Sequence, residues 1–87
     1  METRVAAISI ILESPESVPM VNDILSKYNQ YVVGRMGIPY KQRGLSIISI
    51  VIDAPQDVIS TMSGKLGKLQ GVSAKATYSK YIFGADE

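Results

Sequence analysis

Two stretches of the chain carry the same order of apolar, acidic and proline positions. Residues 8–18 read ISIILESPESV and residues 48–58 read ISIVIDAPQDV, so an offset of 40 residues aligns them. Each copy begins with β-branched residues that favour a strand. It continues with an acid and a proline, which favour a turn and the first turn of a helix. The pattern therefore predicts two similar strand–turn–helix units.

The spacing of apolar side chains predicts the remaining elements, because strands alternate every second residue and helices repeat about every 3.6 residues. Along the chain these are strands at residues 4–12, 31–35, 45–53 and 72–79 and helices at about residues 16–28 and 55–69. On the first helix, Asn22 falls on the polar outer face. We expect one domain over residues 1–87, with an ordered core of about residues 4–80 and a tail over residues 81–87.

The order β-α-β-β-α-β, built from two similar halves, is that of the α+β, ferredoxin-like split βαβ fold. Its four-stranded antiparallel sheet has the first and third strands at the centre and both helices on one face. The opposite face would then carry small and aliphatic side chains, namely Ala7, Ser9, Ile11, Ile47, Ser49 and Val51. An uncovered apolar face is unusual in a lone domain, so we expect a second copy to bury it, in a homodimer or a homotetramer.

Composition removes several classes of chemistry. The chain has no cysteine and no histidine, which excludes disulfides and the thiolate and imidazole ligands of the usual transition-metal sites. No catalytic residue, metal ligand or cofactor is predicted, and we expect a protein that is not an enzyme.

A formal net charge of +1 gives no bulk attraction to nucleic acid or to an anionic membrane. The apolar run Val5–Leu12 is too short to span a bilayer, so we expect a cytoplasmic protein without a membrane partner.

Residues 34–40, GRMGIPY, are the densest unusual stretch. The glycines and the proline predict a turn or an irregular hairpin after a strand that ends near Arg35. In a functional interpretation the glycines allow close approach to a ligand or partner, the arginine offers a fork for carboxylate or phosphate, and the tyrosine stacks or hydrogen-bonds. The candidate residues are Gly34, Arg35, Met36, Gly37 and Tyr40. The alternative is an ordinary hairpin connection, which the residues alone favour.

Two further features have structural explanations. Gly64 and Gly67 are each followed by a lysine, but the spacing of a phosphate-binding loop is missing, so we assign the two glycines to close packing of the second helix against a neighbour. Glu13 and Asp53 are equivalent acids at the ends of the two central strands. A paired acid/base or magnesium site is the alternative there, and turn formation with helix capping is favoured.

Several segments together resemble a known family. VNDIL, VGRMGIPY, LSIISIVIDAP and SGKLGKLQGVSAKA are similar to the small proteins described as regulators of iron-only hydrogenase systems, over about residues 4–80. The resemblance implies an ACT-like ferredoxin fold, related in shape to the effector domain of the nickel-responsive repressor, and a homo-oligomeric, ligand-responsive module. The histidine and cysteine ligands of that repressor are missing here, so nickel binding is not expected.

Analogy with ACT-like domains places ligand contacts at the first strand-to-helix turn, at Glu13, Ser14 and Pro15, together with Arg35 and Tyr40. The sequence thus predicts a non-enzymatic regulatory module that binds itself and either a small effector or a protein of the hydrogenase system. The alternative is a nucleic-acid module that uses a basic hairpin, Arg35, Lys41 and Arg43. RNA recognition by the sheet face is a separate possibility, and it is disfavoured because the central strands lack the aromatic side chains on which RNA bases stack. An enzyme of acylphosphatase type would need an arginine and asparagine arrangement that is missing.

Overall fold

The computed structural model describes residues 2–84 and confirms the βαββαβ order. The strands are β1 Thr3–Leu12, β2 Val32–Tyr40, β3 Leu45–Ala54 and β4 Val72–Phe83, and the helices are α1 Val18–Lys27 and α2 Gln56–Gly67. Short 3-10 turns precede α1 at Pro15–Ser17, precede β2 at Asn29–Tyr31 and form the β2–β3 connection at Lys41–Arg43.

The four strands form one antiparallel sheet in the order β2-β3-β1-β4. The predicted central pair is confirmed, because β1 lies beside β3 with Ile8 opposite Ile50 and Ile10 opposite Ile48. Both central strands are paired on each side, which suits the two most apolar strands of the chain. The outer strands β2 and β4 each keep one unpaired edge.

The core lies between the sheet and the two helices. Isoleucines of β1 and β3 are almost fully buried on the helix side of the sheet. They pack with apolar residues of both helices, namely Val21, Leu25, Ile59, Met62 and Leu66. The predicted division of the strands into two faces is therefore confirmed, since the helix side is buried and the opposite side carries no helix.

The stretch GRMGIPY is a strand, which corrects the prediction of a loop. β2 continues through Tyr40 instead of ending near Arg35, and neither Gly34 nor Gly37 has a positive φ. Pro39 fits because β2 is an edge strand, where a missing N–H need not break a ladder hydrogen bond. The hairpin turn lies at residues 41–44, and Gly44 closes it with φ +64°.

The fourth strand is longer than the sequence pattern indicates. β4 runs to Phe83, which is opposite Thr3 of β1, and the rings of Tyr81 and Phe83 meet edge to face with centroids 4.7 Å apart. The predicted tail over residues 81–87 is therefore wrong for its first three residues. Residues 85–87 lie outside the described part of the chain.

The β1–α1 turn is held against the α2–β4 connection by a close backbone approach at Gly71. The Glu13 N–H donates to the Gly71 carbonyl at 2.7 Å. Gly71 has φ +69°, and a Cβ built on it would lie 2.6 Å from the Ser14 Cβ. Glycine is required here for two reasons, since the left-handed φ disfavours a side chain and the space for one is already filled.

We expect Gly71→Ala to destabilise the fold more than Gly44→Ala. Both residues have a positive φ, which costs about 1 kcal/mol for alanine, but only Gly71 has an atom within 4 Å of the added Cβ. The clash should therefore cost at least about 1 kcal/mol more at Gly71. Urea denaturation measures the free energy of unfolding of each variant. Adding Ser14→Gly to Gly71→Ala should recover part of the excess, and equal losses for the two single variants would contradict the close approach.

Candidate functional site

A groove lies between α1 and the edge strand β2, on the helix side of the sheet. It forms because α2 packs on β4, β1 and β3, whereas the residues of β2 from Val33 to Tyr40 are all exposed. Two adjoining cavities of about 280 Å³ and about 340 Å³ share the lining residues Leu12, Val18, Pro39 and Ser46. We call this continuous depression the α1–β2 groove.

One wall of the groove is the β1–α1 turn, where Ser14 and Pro15 line the second cavity. This turn is anchored to the loop before β4, because the buried Ser17 hydroxyl donates to the Gln70 carbonyl at 2.7 Å. With the Glu13–Gly71 backbone bond, the turn is attached at two points to the loop before β4. The wall is therefore positioned before any ligand binds.

The opposite wall carries Arg35, and a β-bulge aims it there. Val32 is opposite Ile52, but Gly34 is opposite Val51, so Val33 is an extra residue in β2. The extra residue reverses the alternation of the strand. Arg35 consequently lies opposite the buried Ile50, on the helix side, and its Nη2 donates to Asn22 Oδ1 of α1 at 3.0 Å.

The structure brings together some of the predicted ligand contacts and separates others. Ser14, Pro15, Arg35 and Gly37 line the groove. Glu13 is exposed and does not line it; only its backbone N–H has a role in the turn.

The remaining predicted contacts lie on the other side of β2. Gly34, Met36 and Tyr40 are opposite Val51, Ser49 and Leu45, which places them on the sheet face that carries no helix. Arg35 and Tyr40, predicted to contact one ligand, therefore lie on opposite faces of β2, because they are an odd number of positions apart and side chains alternate between the faces of a strand.

Other groove residues were not predicted from the sequence. Helical periodicity places Asn22 on the outer face of α1, yet it borders the groove and accepts the hydrogen bond from Arg35. Leu12 and Val18 are apolar positions that any core would use, and Pro39 has the pattern of a turn residue. No local signal identifies them, because the groove depends on which strand lies at the edge of the sheet.

The sheet face opposite the helices, which we call the open face, has a band of exposed apolar side chains across β2, β3 and β1. Met36 is 59% exposed, Ile38 48%, Ile11 40% and Val51 39%. Ile47 and Ser49 lie between them at intermediate exposure. The use of this face as an interface between copies stays a prediction.

The two glycines of α2 are also accessible. A Cβ built at Gly64 or Gly67 would meet nothing within 4 Å. No part of residues 2–84 packs closely on them, so the neighbour predicted for these glycines would have to be another molecule.

The acids at the ends of the central strands are not paired. Because β1 and β3 are antiparallel, with Val5 opposite Asp53 and Leu12 opposite Ser46, Glu13 and Asp53 lie at opposite ends of the sheet. Neither helix start has a side-chain cap hydrogen bond. Within residues 2–84 no group of three or more acidic side chains is placed to hold a metal ion.

No helix in the described part is long and apolar enough to cross a membrane.

Comparisons with known proteins agree with the sequence resemblance. The TM1266-like family, described as "Iron-only hydrogenase system regulator, putative", matches residues 4–76. The structure of uncharacterized protein TM1266 from Thermotoga maritima is 28% identical with a TM-score of 0.86, covering 90% of this chain and 99% of that chain. Among curated proteins there is no significant match.

Two more distant structures share the fold. The ACT domain from GTP pyrophosphokinase of Chlorobium tepidum is 20% identical with a TM-score of 0.67, over 91% of this chain and 89% of that chain. CPII, a nitrogen regulatory PII-like protein from Thiomonas intermedia K12 bound to ADP, AMP and bicarbonate, is 16% identical with a TM-score of 0.51, over 93% and 96%. The predicted ACT-like, ferredoxin-like architecture is confirmed.

We expect Ser17→Ala to loosen the β1–α1 turn, because it removes the hydroxyl that donates to the Gln70 carbonyl. The loss of this hydrogen bond should lower the free energy of unfolding by about 1 kcal/mol. Urea denaturation tests the global effect, and faster hydrogen exchange at the Glu13 amide tests the local one. The exposed Ser26→Ala on α1 is the matched control and should change stability by less than about 0.5 kcal/mol. Identical behaviour of the two variants would show that the turn is not held through Ser17.

Proposed function

Because the chain belongs to the TM1266-like iron-only hydrogenase system regulator family, which matches residues 4–76, we propose that it is a non-enzymatic, self-associating regulatory module. In this proposal it responds to a small effector or to a protein of the hydrogenase system. The observation that carries the proposal is the α1–β2 groove, a concave site with a fixed turn on one side and a guanidinium on the other.

Strand β2 supports a regulatory role because it contributes to two surfaces at once. Arg35, Gly37 and Pro39 line the groove, while Met36 lies on the open face, and Ile38, opposite Ile47 of the open face, also borders the groove. A ligand that changes the position of β2 relative to α1 would therefore also change the open face. Such coupling is reciprocal, so assembly through the open face would alter the affinity of the groove by the same factor.

A binding role suits the groove better than a catalytic one. Its hydroxyl groups, Ser14 and Ser46, have no histidine to activate them in this chain. The cation Arg35 is held by a neutral amide and is suited to orient an anion rather than to transfer a proton, since guanidinium groups stay charged.

The nucleic-acid alternative is not favoured by any observation among residues 2–84. Arg35 and Lys41 line the α1–β2 groove, whereas Arg43 lies in the hairpin turn outside that lining. The three cations therefore do not form one surface along the hairpin.

The oligomeric state tests the self-association part of the proposal. We expect light scattering at micromolar concentration to give a small multiple of the 9.5 kDa chain mass. Val51→Lys and Ile11→Lys should shift the mass toward the monomer, because burying an unpaired ammonium at an apolar contact is costly. Met20→Lys, at a similarly exposed apolar residue on α1, is the control and should leave the mass unchanged. A wild-type monomer would contradict the interface.

A thermal-shift screen of amino acids, nucleotides and organic acids tests the effector part of the proposal. A compound that binds the groove should raise the melting temperature of the wild type and fail to do so for Gly37→Val, whose added side chain enters the groove. Ser26→Val is the control, because Ser26 is exposed on α1 and lines neither cavity of the groove. If a stabilising compound acts equally on both variants, it does not bind in the groove.

A further inference from the structure

The positive charge of the α1–β2 groove is not balanced by its own walls. Asn22 Oδ1 takes one N–H donor of Arg35, and the described residues offer its guanidinium no carboxylate. Lys41 adds a second cation at the hairpin end of the groove. Among residues 2–84, no aspartate or glutamate lines either cavity. The nearby Glu16 is turned to the Ser14 hydroxyl, with Oγ and Oε2 3.5 Å apart.

Between the two cations the groove is lined mainly by apolar side chains, with the hydroxyl of Ser46 among them. Leu12 and Val18 line both cavities, and Ile48 lies beneath the first. Leu12 and Ile48 are buried members of the core, so this floor is rigid. A ligand with hydrocarbon between or beside its polar groups would remove apolar surface from water on binding.

Size and lining narrow the chemical class of the ligand. Cavities of about 280 Å³ and 340 Å³ lie near the lower limit of small-molecule sites, which are about 300–1,000 Å³. No aromatic side chain lines either cavity, so a nucleotide base has nothing to stack on. An amino acid would bring an ammonium group to a groove that holds two cations and no lining carboxylate. A short carboxylic acid without an amino group fits both the charge and the floor.

We propose that the α1–β2 groove binds a short aliphatic carboxylate, with the carboxylate group held by the Arg35 guanidinium and the hydrocarbon part over Leu12 and Val18. This inference rests on the proposed effector function and names the class of its ligand. The planar guanidinium matches the two carboxylate oxygens, and the Asn22 bond orients it for that contact.

The second copy of the repeat has a position beside Pro55 that is equivalent to the groove wall at Pro15. In the second copy, side chains of the protein itself already occupy this position. Arg4 donates to Gln56 Oε1 at 3.0 Å and to the Ser79 carbonyl, and it lies 5.1 Å from the centroid of the Tyr78 ring. Two acids, Glu2 and Asp57, line the remaining cavity of about 230 Å³. The second repeat therefore does not offer a free guanidinium to an anion, and we expect a single ligand per chain.

Isothermal titration of the full chain with three compounds of one carbon skeleton tests the proposal. These are 4-methylpentanoate, its uncharged amide and leucine, with inorganic phosphate as a bare anion. We expect the acid to bind best, and the amide and leucine to bind about tenfold or more weakly. Phosphate should give no measurable heat, because it uses none of the apolar floor.

Variants of the two arginines separate the Arg35 contact from general charge attraction. Arg35→Gln should weaken binding of the acid by about 10- to 100-fold, and Arg35→Lys should fall between, since it keeps the charge but loses the fork. Arg43→Gln makes the same change in net charge in the hairpin turn, outside the groove lining, and should leave the affinity unchanged. The urea midpoint of each variant confirms that it is folded.

Several results would overturn the inference. The first is that the acid fails to bind at millimolar concentration, and the second is that leucine or the amide binds more tightly than the acid. The others are that inorganic phosphate by itself binds tightly, or that the Arg35 and Arg43 variants lose equal amounts of affinity for the acid. A nucleotide or other compound whose binding is lost in Gly37→Val but does not depend on Arg35 would also overturn it. That last result would leave the proposed effector function intact, so failure of the carboxylate inference can be distinguished from failure of the effector function.

Discussion

The antiparallel pairing of β1 with β3 is the interaction on which the rest of the structure depends. It places the isoleucines of both strands on one face and gives the two helices a common surface to cover. It also decides what lies together at each end of the sheet. Since Leu12 is opposite Ser46, the β1–α1 turn and the β2–β3 hairpin share one end, where they border the groove. The same antiparallel register moves the equivalent β3–α2 turn to the other end, which keeps Glu13 and Asp53 apart.

Strand β2 is the element in which the fold leaves most surface available. It has one paired edge, no helix above its helix-side residues and no layer below its open face. An edge strand tolerates Pro39 and two glycines that a central strand would not. The bulge at Val33 then decides which side chain faces which surface. Without the extra residue, Arg35 would fall opposite Ser49 on the open face, and the groove would keep only Lys41 of its two lining cations.

Local pattern was sufficient to predict the element order, the central strands and the two faces of the sheet, because these follow from apolar periodicity and from the repeat of ISI and proline positions. It was misleading at GRMGIPY, where glycine and proline usually indicate a turn and only the position at the sheet edge makes a strand possible. The bulge at Val33 and the separation of Arg35 from Tyr40 depend on pairing with β3. Likewise β4 continues to Phe83 because the first residues of β1 provide a partner, which no local signal indicates.

The two repeats differ in how an arginine is bound near the strand-to-helix turn. In the second unit, the side chain of Arg4, at the start of β1, is already hydrogen-bonded beside the turn, because it donates to Gln56 and to the Ser79 carbonyl. In the first unit, Arg35 comes from the edge strand, and within residues 2–84 its guanidinium bonds to one exposed amide of α1, which leaves its other N–H donors available to a ligand. The ligand proposed for this groove would contact both α1 and β2, while β2 also forms part of the open face. If copies assemble through the open face as proposed, any preference of that ligand for one arrangement of β2 would be transmitted to assembly, and each tenfold preference would be worth about 1.4 kcal/mol.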